Sequence, residues 1–233
     1  MAQPVCAIPG AGPGNGLALA RRFAAAGYRI ALLARDGDKL DSIAAKVDGA
    51  DVYVCDVGDG EAVASAFQSI KTDLGPVDTL LYNAGSAVFG TVDNISLQDF
   101  ESAWHTNTVG LFHCARAVLP GMRAAGQGNI VVTGATASRK GGAHFAGFAS
   151  AKAAQHSLAQ SMARELGPEG IHVAIAIVDG VIDSPRTRQM LSDKGDDDFL
   201  QPDAIAESIY HITQQPRSAW TFELDLRPFG ENW

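Results

Sequence analysis

The sequence carries only three cysteines in 233 residues, Cys6, Cys55 and Cys114, and no two of them form a CxxC pair. An odd, scattered set argues against a disulfide framework or a cysteine zinc site, and predicts buried thiols in a reducing compartment. Long apolar runs are missing too: none reaches the roughly 18 residues of a membrane-spanning helix. No charged stretch followed by an apolar one opens the chain, since a strand-like run starts at Val5, so the expected setting is the cytoplasm. Basic charge is in deficit, with 18 Lys and Arg against 26 Asp and Glu, a net charge of −8. Such a field repels phosphate backbones and anionic lipid, so neither nucleic acid nor membrane is an expected partner. There is no repeat, low-complexity tract or Pro/Gly/Ser linker, and the length fits a single domain over 1–233.

What is present is an alternation. Val5–Ile8, Arg29–Ala34, Asp51–Cys55, Thr79–Tyr82, Asn129–Thr133, His172–Val178 and Thr221–Leu226 read as strands, most of them nearly continuous in apolar residues. Runs of that kind suit parallel strands covered on both faces. Amphipathic stretches at Gly16–Ala26, Lys39–Val47, Glu61–Leu74, Phe100–Ala125, Phe148–Leu166 and Pro202–Thr213 read as helices between them. Right-handed crossovers then predict an α/β chain: a three-layer, doubly wound Rossmann fold with a mainly parallel seven-stranded sheet. The segment 183–201 stands apart, polar and carrying the acidic run Asp196–Asp198. It reads either as a solvated loop or as a lid over a bound substrate.

The first strand runs into Pro9-Gly10-Ala11-Gly12-Pro13-Gly14-Asn15-Gly16 and then a helix. Glycines in that context let the backbone turn sharply and let a diphosphate approach with no Cβ in the way, and the helix start supplies free N–H groups. Gly10, Gly14 and Gly16 meet the GxxxGxG spacing of the short-chain dehydrogenases/reductases, which the chain resembles over nearly its whole length. Cys55-Asp56-Val57 is similar to the family's aspartate segment beside the adenine ring, and Tyr82-Asn83-Ala84-Gly85 to its NNAG segment. Asn107 falls where the family keeps an active-site asparagine, and Asp179-Gly180-Val181-Ile182-Asp183-Ser184 resembles the PGxVxT segment that holds the nicotinamide amide. Pro9 and Asp179 depart from the usual threonine and proline. The resemblance implies a nicotinamide cofactor held by Gly10, Gly14, Asn15, Gly16, Arg35, Asp56, Val57, Asn83, Ala84, Gly85, Lys152, Gly180 and Ile182.

The choice between NADP and NAD rests on Ala34-Arg35-Asp36. Arg35 can pair with a 2′-phosphate, which favours NADP. Asp36, one residue on, can instead accept from ribose hydroxyls and serve NAD, or simply cap the next helix.

The family's proton-handling tyrosine stands four residues before a lysine, on one helix face, and its serine one loop upstream. Here Lys152 is present, but Phe148 and Ala135 occupy the tyrosine and serine positions. Neither can donate or accept a proton. The Phe-Ala-x-Ala-Lys helix, the GATAS loop and the WTFELDLRP tail resemble family members in which phenylalanine replaces tyrosine. This implies an NAD(P)(H)-dependent oxidoreductase with an atypical active site and an unknown small-molecule substrate, or else a catalytically silent dinucleotide-binding protein acting as a sensor or partner subunit. Lys152 and Asn107 are the retained catalytic candidates. Thr136, Ser138 and His144 are candidate substitutes for the missing hydroxyls, and an acceptor that needs no protein acid is a third way out. Phe145 and Phe148 line an apolar pocket or belong to the core. The remaining histidines show no metal-like spacing, so no metal is expected. The resemblance also implies a homodimer or homotetramer built on the last helix and strand, and an edge strand in need of cover points the same way. Trp220, Phe222 and Trp233 are candidate anchors there, or core residues.

Overall fold

A computed structural model describes residues 3–231; Trp233, a candidate anchor, lies outside them. Seven strands form one sheet: β1 (Val5–Pro9), β2 (Arg29–Ala34), β3 (Ala50–Val54), β4 (Val77–Tyr82), β5 (Gly128–Ala135), β6 (Ile171–Val178) and, at one edge, β9 (Glu223–Leu226). Their order is β3-β2-β1-β4-β5-β6-β9, and every pairing is parallel. The apolar runs explain the arrangement. Every residue of β6 is buried, whereas β3 and β9, at the two edges, are only partly covered.

Three helices cover each face. On one, α1 (Asn15–Ala25), α2 (Gly37–Ala44) and α8 (Pro202–Thr213) bury Leu19, Phe23, Leu40, Ile43, Ile205 and Ile209. On the other, α3 (Gly60–Asp73), α5 (Gly110–Ala125) and α6 (Ala146–Leu166) bury Val63, Phe67, Ile70, Leu111, Val118 and Leu166. The chain thus winds both ways from the centre, and β1 and β4 lie at the point where the order reverses. In open parallel sheets that is where a crevice opens at the carboxyl ends of the strands. No helix among the described residues is long and apolar enough to cross a membrane. The three cysteines are free and buried, as their scatter predicts.

Three segments depart from the sequence reading. The helix expected over Phe100–Ala125 is α4 (Leu97–Trp104), then a π-helical turn at His105–Val109, then α5. Side chains force the wider turn. The Tyr82 hydroxyl donates to the Thr106 carbonyl, the Gln155 amide donates to the Asn107 carbonyl, and the N–H of Gly110 reaches back to His105. A Cβ on Gly110 would lie 2.3 Å from the Tyr82 oxygen, so glycine is what admits the ring. Second, the last strand starts at Glu223 rather than Thr221, because the Thr221 N–H is taken by the Gln215 side chain at 2.8 Å. Third, 183–201 is largely ordered secondary structure. It holds α7 (Pro185–Met190), capped by Ser184, and β8 (Phe199–Leu200), which pairs with β7 (Val181–Ile182) just before the segment. The Asp183 carboxylate binds Arg188 at 2.7 and 2.8 Å and Gln201 at 2.9 Å, and Arg188 also pairs with Asp196 at 2.8 Å.

Candidate functional site

The crevice begins at the glycine turn after β1. Gly10 has φ +86°, and its N–H and that of Ala11 both donate to the Leu33 carbonyl of β2, at 2.8 and 3.1 Å. A Cβ on Gly10 would stand 2.3 Å from the Ala84 nitrogen, so the turn lies directly on the segment leaving β4. Gly12 and Gly14 behave differently: a Cβ there would meet nothing within 4 Å. Gly14 opens α1, and no side chain caps that helix. Asn83 ties three strands together, its amide donating to the Gly10 carbonyl at 2.8 Å while its oxygen accepts from Asn15 and Thr133 at 2.7 and 3.2 Å. The buried Asn15 Oδ1 has no partner. An uncapped helix start above open space fits a diphosphate linker, while the orphan Asn15 oxygen, an acceptor, could take only a donor such as a ribose hydroxyl. The opposite wall comes from 183–201, whose Asp183, Ser184 and Pro185 line a cavity of about 320 Å³ together with Pro13, Gly14 and Leu17.

At the end of β2, Arg35 is exposed and its guanidinium lies 4.0 Å from the Asp56 carboxylate. Asp56 also accepts from the N–H of Gly58 at 2.9 Å, and Val57 beside it is buried. Asp36 has other work. It accepts from the Lys39 N–H at the start of α2 and pairs with the Lys39 ammonium at 2.7 Å, and that bond lowers its pKa. Asp36 thus caps α2, and Arg35 stands exposed beside it.

The other end of the crevice gathers Lys152, Asn107, Gly85 and Ser86. Lys152 on α6 is 5% exposed, and its ammonium donates to the Thr133 carbonyl at 2.8 Å and to Gln155 Oε1 at 3.0 Å. Asn107, buried in the π-turn, donates to the Ser86 and Ala103 carbonyls at 2.9 and 2.8 Å. A Cβ on Gly85 would make only ordinary contacts, 3.9 Å from the lysine Nζ and 3.4 Å from Asn107 Oδ1, which places this loop beside the amine. Burial lowers the Lys152 pKa to about 8. The charged form is the one that attracts an anionic dinucleotide, so affinity is expected to be flat below pH 8 and to fall above it. One proton sets a limit of about tenfold per pH unit. Stability runs the other way. Between about pH 8 and the ordinary lysine range the unfolded chain binds the proton and the native one does not, so this group makes stability rise with pH. Cofactor titrations at pH 7, 8 and 9, repeated on Lys152→Met, check the first sign; an unchanged slope in that variant would remove lysine as its source.

Phe148 sits one turn before Lys152, half-buried against Phe89 and Phe145 with ring centroids 5.7 and 6.4 Å away; Phe89 and Phe145 are 5.0 Å apart. Backbone bonds hold this cluster: Gly90 N–H to the His144 carbonyl at 2.7 Å, Ala146 to Gly90 at 3.1 Å, and Phe148 to Val88 at 3.1 Å. Ala135 ends β5, and its N–H donates to the Ser138 hydroxyl at 3.1 Å. The Thr136 hydroxyl donates to Asp179, which also pairs with Arg227 at 3.0 Å. Both substitute hydroxyls are thus engaged with the protein, and His144 is exposed on its loop. Gly180, with φ +157°, brings the chain so close that a Cβ would meet Pro228 at 2.7 Å, and Ile182 follows in β7. Trp220 stacks on His172 at 4.7 Å and Phe222 packs on the core beside His156, and both stay partly exposed. Two contributors escape sequence reading: Gln155, a polar residue on a helix, and the Thr136–Asp179 bond, which joins residues far apart in the chain.

Comparison with known proteins supports the same assignment. Residues 4–195 match the model of the short chain dehydrogenase family. The inactive 2-(S)-hydroxypropyl-CoM dehydrogenase 2 of Xanthobacter autotrophicus is 34% identical over 179 residues, covering 76% of this chain and 78% of that one. A short-chain dehydrogenase structure from Rhodopseudomonas palustris superposes with a TM-score of 0.83 at 33% identity, over 97% of this chain and 98% of that one. Actinorhodin polyketide ketoreductase, solved with NADPH, superposes with a TM-score of 0.88 at 25% identity over the full length of both chains. The chain belongs to the short chain dehydrogenase family of oxidoreductases.

Proposed function

We propose that the chain is an NADP(H)-dependent oxidoreductase with an atypical active site, one that holds the cofactor but offers the substrate no hydroxyl acid. The observation that carries this reading is the pairing of a retained, buried Lys152 with Phe148 and Ala135 at the proton-handling positions. A bound nicotinamide supplies or accepts hydride. The protein's own part is then positional. Gly10, Gly14 and Gly16 admit the diphosphate, Asn83 braces the turn, Asp56 and Val57 flank the adenine end, Ala84 and Gly85 form the floor, and Gly180 and Ile182 flank the nicotinamide end. Lys152 holds the ribose, with Asn107 fixing the floor beneath it. The segment 183–201 serves as the lid, a role its wall on the cavity above Gly14 supports. The chain works as a homodimer or homotetramer in the cytoplasm, a reading in keeping with the open edge at β9 and three free thiols.

Arg35 selects the cofactor. A charge-assisted bond to a 2′-phosphate is worth about 1.5–3 kcal/mol, so NADPH is expected to bind roughly 10–100-fold more tightly than NADH. Arg35→Ala should erase most of that preference. Titration of nicotinamide fluorescence with both cofactors measures it, and equal affinities in the parent chain would sink the role of Arg35. Binding of neither would sink the oxidoreductase reading altogether.

A second reading, a silent dinucleotide-binding protein, is favoured by one observation: the Thr136 hydroxyl already donates its proton to Asp179. Tight NADPH binding with no turnover across aldehydes, ketones and quinones would select it.

A further inference from the structure

We propose that Gln155 is a positioning residue of the site, clamping Lys152 to the π-turn and making its amine a fixed cation rather than a conduit for protons. The inference rests on Lys152 lying at the cofactor, as above.

The geometry is specific. Gln155 is fully buried, three residues after Lys152 on α6, so both side chains leave the helix on one face. Its Oε1 accepts from the lysine ammonium at 3.0 Å, and its Nε2 donates to the Asn107 carbonyl at 2.6 Å. That carbonyl needs a donor because the helix widens into its π-turn there. The amide can satisfy both neighbours in one orientation only, since a flip would set its NH₂ against the ammonium and its oxygen against a carbonyl. A buried polar chain therefore runs from Ser86 through Asn107 and Gln155 to Lys152 and the Thr133 carbonyl.

Two of the three ammonium hydrogens are committed to carbonyl-type oxygens, one on Gln155 and one on β5. The third is left for the crevice. Both hydrogen-bond partners of the amine are neutral, the Thr133 carbonyl of β5 and Gln155 Oε1 of α6. A water or a hydroxyl in the place of Gln155 could accept one proton and release another. A primary amide cannot do so without leaving its stable tautomer. With Phe148 in the tyrosine position, no titratable side chain among the described residues is hydrogen-bonded to the amine. What the arrangement provides is a cation whose position and charge are set by the protein.

Three measurements test this. In the parent protein at pH 6.5 and low temperature, the Lys152 ammonium protons should exchange slowly enough to be seen by ¹⁵N NMR, assigned by their loss in Lys152→Met. Rapid exchange, with no such signal, would overturn the clamp. Gln155→Leu keeps the side chain's bulk and removes the acceptor, so the pH at which NADPH affinity breaks should drop by about one unit, weakening binding at pH 8 by about fivefold. Gln155→Glu places a carboxylate beside the amine and should move the break upward by a similar amount. A break shared by all three proteins, with folding verified by circular dichroism, would reduce Gln155 to a packing residue. Failure of the parent to bind NADPH would instead strike the cofactor reading, while the NMR result would still stand on its own.

Discussion

Phe148→Tyr combined with Ala135→Ser is expected to raise NADPH-dependent carbonyl reduction by about 10²–10⁴-fold, the contribution typical of a positioned general acid. The change is small in volume and large in chemistry. Tyrosine adds one oxygen to a half-buried ring already seated against Phe89 and Phe145. The new phenol stands one helical turn from an ammonium that would favour its ionised form. Serine at the end of β5 adds a donor for the reacting oxygen, in reach of a loop where Ser138 is already bonded to the Ala135 N–H. Groups of this kind act as a unit, so either single substitution should give much less than the pair. The readout is kcat/KM for a panel of aldehydes and ketones, together with NADPH affinity. If affinity holds and activity does not rise, the pocket's shape and not its missing hydroxyls limits reduction.

Gly10→Ala should cost about 3–5 kcal/mol of stability, enough to unfold many domains whose total is about 5–15 kcal/mol. Two penalties coincide. A φ of +86° strains any residue with a Cβ, and that Cβ would sit 2.3 and 2.4 Å from the Ala84 nitrogen and Cα. Both are backbone atoms on β4's exit, so relief requires the two central strands to separate. Gly14→Ala is the matched contrast. Its Cβ meets nothing within 4 Å, so stability should change by less than about 1 kcal/mol while NADPH affinity falls, because the methyl enters the space meant for the diphosphate. Urea unfolding of both variants, with NADPH titration of the second, separates the two roles. Equal destabilisation would show that the turn is uniform and that the distinction between its glycines is wrong.

Strands were the easiest feature to read from sequence, because a sheet covered on both faces writes itself as unbroken apolar runs such as Ile171–Val178. The glycine turn was legible for a related reason, since its constraint is local and lies within eight residues. Asp36 illustrates a choice that only geometry makes: capping and ribose recognition need the same side chain at the same position, and Lys39 decides between them. The π-turn is invisible in HTNTV because its cause, the Tyr82 hydroxyl, comes from another element. Gln155 looks like a surface residue until the carbonyl it serves is in place. The helix α7 had a readable signal, Ser184 followed by Pro185, that the polarity of its surroundings obscured.

The position of β1 has a consequence for how the chain is made. It leaves the ribosome before the other strands of the sheet, yet it ends at the sheet's centre, between β2 and β4. Its pairing with β2 can form early, but β4 follows about 70 residues later, and at about 5–20 residues per second that is a wait of about 4–14 s. During translation the apolar edge of β1 stays open, and the glycine turn has no Ala84 to rest on. A nascent chain stalled before β4 therefore offers an unpaired strand to chaperones or to other chains, and the nucleotide crevice cannot exist until the fourth strand arrives.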